Sequence, residues 1–330
     1  MKNILLIATG GTIASKPTDS GLVPSISSEE ILSYVPKVRE ICHITAMQLF
    51  NLDSTNIDWR HWVAIAACIR DNYDKYDGFV VTHGTDTMAY TLAALSYMVQ
   101  NSRKPIVFTG SQKSIYARDT DARGNLRNAF LYAADDRACG VHLVFDSKVI
   151  LGTRARKTYT KSYNAFSSID HPEVAIIRDK RLIFFVEERI EAKYPDFYLQ
   201  LNPRVFVYKL IPGADPQIFA FLKPHYDAVV IHSFGVGGIP CYENEQFIDA
   251  IDDWISFGKT LVMATQVPHE GSDMSVYEVG YTVKKRFGLI EAYDMTLEAV
   301  VTKLMWILGQ TSDPNEVRRL FYKPIARDIL

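Results

Sequence analysis

Residues 3–15 read NILLIATGGTIAS, and the class of architecture follows from them. Ile4 to Ala8 form an apolar run long enough for one buried strand and too short for a helix. Gly10 and Gly11 come at once after it, so the backbone can turn sharply with φ > 0 and no Cβ in the way. Thr12 follows the two glycines. In an α/β protein, ligands bind in the crevice beyond the carboxyl ends of the strands, so Thr12 is expected where small-molecule chemistry takes place, as a candidate nucleophile. Strand–Gly–Gly turns are also ordinary features, and a threonine after one can simply cap a helix. The stretch is neither a G-x-G-x-x-G dinucleotide fingerprint nor a phosphate loop.

Working outward, Ala14 to Ser28, with Pro17, Thr18, Asp19, Ser20, Gly21, Pro24 and several further serines, reads as a loop lying over the end of the first strand. Ser28 to Tyr34 reads as a short helix. His43 to Leu52 reads as a strand ending at Asp53 and Ser54. Asn56 to Arg70 reads as a helix with Asn56 as its cap, and His61 as a surface or packing residue. Residues 78–87, GFVVTHGTDT, repeat the opening logic: a β-branched run, a glycine, then hydroxyls. A helix from Met88 to Val99 would place Thr85, Asp86 and Thr87 at its N-terminus, where free N–H groups favour an anion or a developing oxyanion. Capping by Asp86 or Thr87 is the alternative. Residues 104–112, KPIVFTGSQ, give a third strand ending in T-G-S-Q. Asp121–Ala134 reads as a helix and Val141–Phe145 as a fourth strand. Lys148 to Lys157 reads as a hairpin-like excursion turning at Gly152 and delivering Arg154, Arg156 and Lys157. Repeated strand–helix units at this spacing argue for a doubly wound parallel sheet of flavodoxin-like type.

The second half restarts the rhythm. Residues 1–189 read as an N-terminal α/β domain, 190–204 as a charged, proline-bounded linker, and 205–330 as a smaller C-terminal α/β domain. In the latter, Val205–Ile211, Ala228–His232 and Thr260–Thr265 read as strands, and Asp215–Leu222 and Asn244–Phe257 as helices. The last long helix runs from Thr296 to Leu308, with Gly309 as its C-cap.

The chain has 330 residues, 48% hydrophobic and 22% charged, with a formal charge of −2. That balance gives no support to a nucleic-acid or membrane-surface role. No apolar run approaches the ~18 residues that span a bilayer. The start imitates a secretory signal, but its apolar run stops short of the ~7–15 residues of a signal core, so a cytoplasmic protein is expected. Cys42, Cys68, Cys139 and Cys241 form no C-x-x-C pair and read as buried, reduced and inert. The eight histidines show no metal spacing, and neither metal nor cofactor is expected.

T-G-G-T-I-A at Thr9–Ala14 and G-F-V-V-T-H-G-T-D-T-M at Gly78–Met88 resemble the two signature motifs of bacterial-type L-asparaginases. The likeness takes in Asp53–Ser54, T-G-S at Thr109–Ser111, Lys157 and G-V-G-G-I-P at Gly235–Pro240, and is greatest to the cytosolic type I branch. It implies two domains, the N-terminal one larger, and hydrolysis of L-asparagine to L-aspartate and ammonia. It implies that Thr12 attacks to give an acyl-enzyme, and that Thr85, Asp86 and Lys157 form a second catalytic group. Gly11, Asp53, Ser54, Gly84 and Ser111 would join Thr85 and Asp86 in holding substrate. Asp86 would meet its α-ammonium and Ser54 its α-carboxylate. It also implies a homodimer or homotetramer in which the partner's C-terminal domain helps close each site. Two departures stand out. Where many relatives have a lid tyrosine in G-Y-x-P, this chain has Leu22, leaving Lys157 or another tyrosine such as Tyr34 to activate the nucleophile. Where some cytosolic relatives have an allosteric arginine and cysteine, it has His232 and Val267, so that site is expected to be absent. The alternatives are a dual asparaginase–glutaminase, the amidase component of a tRNA-dependent amidotransferase, whose extra N-terminal domain is not seen here, and a non-catalytic amino-acid sensor.

Overall fold

The computed structural model describes residues 1–18, 21–240, 246–276, 281, 284–285 and 288–330. It divides into two units, Met1–Leu199 and Gln200–Leu330.

In the first unit the strands are β1 (Asn3–Gly10), β2 (Ser15–Thr18), β3 (Gly21–Pro24), β4 (His43–Leu52), β5 (Gly78–Thr82), β6 (Val99–Gln100), β7 (Pro105–Thr109), β8 (Gly140–Phe145), β9 (Lys148–Leu151), β10 (Ala155–Lys157), β11 (Phe166–Ser168), β12 (Ala175–Arg178), β13 (Arg181–Phe184) and β14 (Asp196–Phe197). The helices are α1 (Ser28–Ser33), α2 (Trp59–Asn72), α3 (Met88–Met98) and α4 (Ala122–Ala133). An eight-stranded sheet runs β13-β12-β9-β8-β7-β5-β1-β4. Its stretch β4-β1-β5-β7-β8 is parallel and has the flavodoxin-like order; β9, β12 and β13 extend it antiparallel, so the sheet as a whole is mixed. β1 lies between β4 and β5, the next two strands of this sheet in chain order, one on each side. That is the point at which strand order reverses and a crevice opens beyond the carboxyl ends.

The parallel strands read as continuous apolar runs because both their faces are covered. Ile4, Leu6, Val80, Val107 and Val144 share one core cluster with Ile31 and Leu32 of α1 and Leu126, Ala129 and Phe130 of α4. The alternate residues Leu5, Ile7, Phe79 and Val81 are equally buried and face the other layer, where Tyr73, at the end of α2, stacks on Phe79. Each such aliphatic side chain contributes about 1.5–3 kcal/mol on burial, so β1 is anchored well before its glycines begin.

Several local expectations are corrected. Residues 14–28 are not a plain loop: β2 and β3 pair antiparallel from Ser15↔Pro24 to Thr18↔Gly21, a two-stranded ribbon outside the main sheet in which proline is tolerated. The cap of α2 is Asp58, whose carboxylate accepts from Arg60 N and which shares a capping box with His61; Asn56 lies in a preceding 3₁₀ turn capped by Asp53. Lys148–Lys157 is not one hairpin. β9 folds back on β8 through Asp146 and Ser147, both in the left-handed region, whereas β10 pairs with β11. Non-glycine residues at φ > 0 hid that turn from a reading built on Gly.

In the second unit β15 (Val205–Lys209), β16 (Ala228–Ser233), β17 (Thr260–Thr265) and β18 (Ile290–Glu291) form a parallel sheet in that order. Around it lie α5 (Ile218–Leu222), α6 (Gln246–Ser256), α7 (Leu297–Gln310) and α8 (Pro314–Phe321). Asn244, expected at the start of α6, and Cys241 lie outside the described residues. Thr296 caps α7, accepting from Ala299 N at 3.1 Å. Gly309 is not the C-cap, which is Thr311; it sits inside the helix because a Cβ there would lie 2.4 Å from the Gln200 carbonyl oxygen. The buried Lys303 Nζ lies 2.6 Å from Asp328 Oδ2 and donates to Lys323 O, pinning the C-terminal segment to α7. His232 is buried on β16 and Val267 is exposed beyond β17. Among the described residues no helix is long and apolar enough to cross a membrane.

Candidate active site

The first unit gathers most of the sequence-derived candidates beyond the carboxyl ends of β1, β4 and β5. Two glycines make this possible. A Cβ on Gly11, whose φ is 80°, would lie 2.4 Å from Gly84 N; one on Gly84 would lie 2.6 Å from Ser54 Oγ. The loops after β1 and β5 therefore stack backbone on backbone, with the Ser54 side chain packed against Gly84, and a side chain at either glycine would force them apart. Gly11 N donates to Leu52 O at 2.9 Å, tying the first turn to β4. Thr12 opens a 3₁₀ turn, Thr12–Ala14, with Gly11 in the cap position, so it is not itself a helix cap. Its side chain is half-buried.

Thr87 occupies the N-cap position of α3 but makes no capping bond with its side chain; its hydroxyl donates to Ser54 O at 2.7 Å. Asp86 N donates to Ser54 Oγ at 3.3 Å. The two loops are thus laced together, and the hydroxyl-rich turn does more than start a helix. Thr85, 5% exposed, receives a hydrogen bond from Lys157 Nζ at 2.7 Å, and the same ammonium lies 2.6 Å from Asp86 Oδ1. Lys157 reaches this point from the end of β10, far along the chain. A hydroxyl and a carboxylate therefore meet at one amine, a grouping of the kind that can pass a proton to or from a nucleophile.

Two predicted binding residues have local commitments. The Asp53 carboxylate accepts from Thr55 N and Thr55 Oγ1, both at 2.9 Å, and caps its own turn. The buried Ser111 hydroxyl donates to Lys113 O. Tyr34 packs edge-on against Tyr116, ring centroids 5.2 Å apart, beside the α1–α4 core. The Leu22 side chain lies outside the described residues. No group of three or more His, Cys, Asp or Glu among the described residues is placed to hold a metal.

Sequence reasoning passed over two residues here. His83 is fully buried between Thr91 Oγ1, 3.0 Å from its Nε2, and Gly84 O, 2.7 Å from its Nδ1. A carbonyl can only accept, so Nδ1 carries the ring proton and Nε2 accepts from Thr91, which itself accepts from Trp62 Nε1 at 3.0 Å. Burial pushes His83 down to about 4, with the bond to Gly84 opposing, so the ring is neutral near pH 7. Because N–H and C=O point oppositely across a trans peptide, holding the Gly84 carbonyl turns the Thr85 N–H away from His83. The second residue is Gln112, whose Oε1 accepts from Thr85 Oγ1 at 3.3 Å. The H-G-T and T-G-S-Q strings were the available signals; nothing in them told where either side chain would point.

Comparison with known proteins bears on the chain as a whole. The sequence profile described as "Asparaginase, N-terminal" matches residues 3–189, and that of "Glutaminase/Asparaginase C-terminal domain" matches residues 204–321. The chain is 38% identical to an L-asparaginase of Thermococcus kodakarensis over 99% of this chain and 98% of that one. It is 34% identical to one component of the glutamyl-tRNA(Gln) amidotransferase of Metallosphaera sedula, over 96% of this chain and 74% of that protein. Among solved structures it is similar to the thermostable L-asparaginase from Thermococcus kodakarensis, with a TM-score of 0.93, 37% identity and 99% of each chain covered. It is similar also to L-asparaginase I from Vibrio cholerae, with a TM-score of 0.89, 30% identity, and 100% of this chain and 99% of that one covered. The chain belongs to the asparaginase family.

Proposed function

We propose that this protein hydrolyses the side-chain amide of L-asparagine to L-aspartate and ammonia. The observation that carries the reading is the contact of Lys157 Nζ with both Thr85 Oγ1 and Asp86 Oδ1, in a chain of this family. Thr12 Oγ1 attacks the amide carbon, and its proton passes through the Thr85 hydroxyl to a Lys157 that has given up its own. The tetrahedral oxyanion is held by backbone N–H groups, Thr85 N among them; each such donor is worth ~3–4 kcal/mol of barrier. The C–N bond breaks as the nitrogen takes up a proton, releasing ammonia and leaving an aspartyl ester on Thr12. Water cleaves that ester with the same proton relay. Asp86, 58% exposed at its side chain, meets the α-ammonium, and Ser54 meets the α-carboxylate. Gly11, Asp53, Gly84 and Ser111 line the cradle. No metal or cofactor takes part. The working form is a homodimer or homotetramer in which a partner's C-terminal domain completes each site.

The second reading is a dual asparaginase–glutaminase, since one methylene separates the substrates and a pocket discriminates it by only ~1–3 kcal/mol. The similarity to an amidotransferase component keeps glutamine-linked chemistry in view. Ammonia release from L-asparagine and L-glutamine, by wild type and Thr12→Ala, tests both. Release from asparagine that Thr12→Ala abolishes is expected. Comparable glutamine turnover would move the protein to the dual-specificity class. Binding of asparagine without release would leave only an amino-acid sensor.

A further inference from the structure

The Thr85 hydroxyl has one proton, and its surroundings decide where that proton points. Lys157 Nζ donates to the oxygen, so the proton must be directed elsewhere, and the acceptor it meets is Gln112 Oε1 at 3.3 Å. The orientation of that carboxamide is set by its other end. Gln112 Nε2 lies 3.1 Å from Thr160 O and 3.0 Å from Ser162 O, two groups that can only accept, so the NH₂ belongs there and the oxygen faces Thr85. The backbone beneath is held as well: Gln112 N donates to Asp121 Oδ2 at 2.9 Å, and Asp121 also accepts from Lys113 N and Asn125 Nδ2. Gln112 therefore links the T-G-S-Q loop, the catalytic threonine and the segment that follows Lys157.

We infer that Gln112 is a positioning residue for the proposed amide hydrolysis, holding the Thr85 proton while Lys157 is an ammonium and so setting how readily Lys157 becomes a base. In the resting arrangement the ammonium gives a proton to Thr85 Oγ1, and Thr85 gives its own to Gln112. For proton transfer from Thr12, Lys157 must first lose a proton and the Thr85 hydroxyl must rotate from Gln112 Oε1 to Lys157 Nζ. The glutamine acceptor favours the first state, since each bond in such a chain strengthens the next. It is neutral, so it does so without adding charge. Gln112 Oε1 and Lys157 Nζ are no more than about 6 Å apart, the two hydrogen bonds laid end to end, so a charge placed at the first position is felt at the second. The charged groups around the pair are Asp86 on Lys157, Asp121 beneath Gln112, and Lys113, which is paired with Asp119 and lies over the Tyr163 ring.

The inference rests on the asparaginase reading, and two substitutions separate its failure from that of the reading. Gln112→Met keeps the length and removes the acceptor; Gln112→Glu keeps an acceptor and adds a negative charge. The measurement is kcat and KM for L-asparagine from pH 5 to 10 on both variants and the wild type, with urea unfolding as a check on folding. For Gln112→Met, the rising limb of the kcat profile moves to lower pH by about half a unit, with KM within about twofold. For Gln112→Glu the limb moves the other way by about one unit, because the carboxylate stabilises the ammonium. Opposite displacements support the inference. Rate losses with the limb unmoved, or moved the same way in both, would overturn it and leave Gln112 a packing residue. A wild type that releases no ammonia from asparagine would instead overturn the asparaginase reading.

Discussion

Each of the two units carries a lysine–aspartate pair 2.6 Å long, and they serve opposite ends. Lys303–Asp328, in the C-terminal unit, is sealed, with both side chains at 0% exposure. Lys157–Asp86, in the N-terminal unit, is open: the aspartate is 58% exposed and the ammonium also touches a hydroxyl. A sealed pair has already lost its water, so removing one partner strands a charge in a medium that cannot solvate it. An open pair is screened and adds ~0–1 kcal/mol to stability. It can exchange partners and protons, which the sealed pair cannot. Identical chemistry is thus a staple in one place and, in the mechanism proposed above, a reactive group in the other, and solvent access makes the difference.

The contrast can be broken most forcefully through stability. Asp328→Ala is expected to lower the unfolding free energy by about 3–5 kcal/mol, and Asp86→Ala by less than about 1 kcal/mol, in urea titrations followed by circular dichroism. Equal losses would erase the distinction. The next effect concerns burial inside the N-terminal unit itself. His83 sits near 4 folded against about 6.5 unfolded, so the unfolded chain binds a proton that the native one refuses. Stability therefore declines as pH falls from about 6.5 to about 4, by ~3 kcal/mol from this group. The buried His142, also pushed down, acts in the same direction. In His83→Gln the decline is shallower by that amount, measured as unfolding midpoint against pH; an unchanged slope would mean that His83 takes up its proton equally in the folded and unfolded chain. The smallest effect sharpens the open side: Ser54→Ala, which removes the acceptor of Asp86 N and the proposed carboxylate anchor, is expected to raise KM about tenfold with kcat within about twofold.

How much of this was legible depended on range. The opening strand, its two glycines and the H-G-T-D-T turn are local patterns, and apolar runs buried on both faces announce a parallel sheet by themselves. The antiparallel extension β9-β12-β13 was missed because its turn uses Asp146 and Ser147 at positive φ, without the glycine that signals such a reversal. Gly309 was misread because a glycine near a helix end looks like a cap, while its cause is the Gln200 carbonyl more than a hundred residues away. At the site, Lys157 is legible only through the family resemblance, since nothing adjacent in sequence marks it. Gln112 and His83 were visible as letters but not as contacts, because amide and imidazole orientation is fixed by the acceptors around each side chain in the fold.

The most direct test of the contrast places Lys157→Met beside Lys303→Met and measures, for each, asparagine turnover per folded molecule and the urea midpoint. Lys157→Met is expected to lose about 10³-fold in kcat or more with its midpoint unchanged, and Lys303→Met to lose stability while the molecules still folded turn over normally. A Lys157→Met protein that released ammonia from asparagine within tenfold of wild type would contradict the assignment of the open pair as the reactive one.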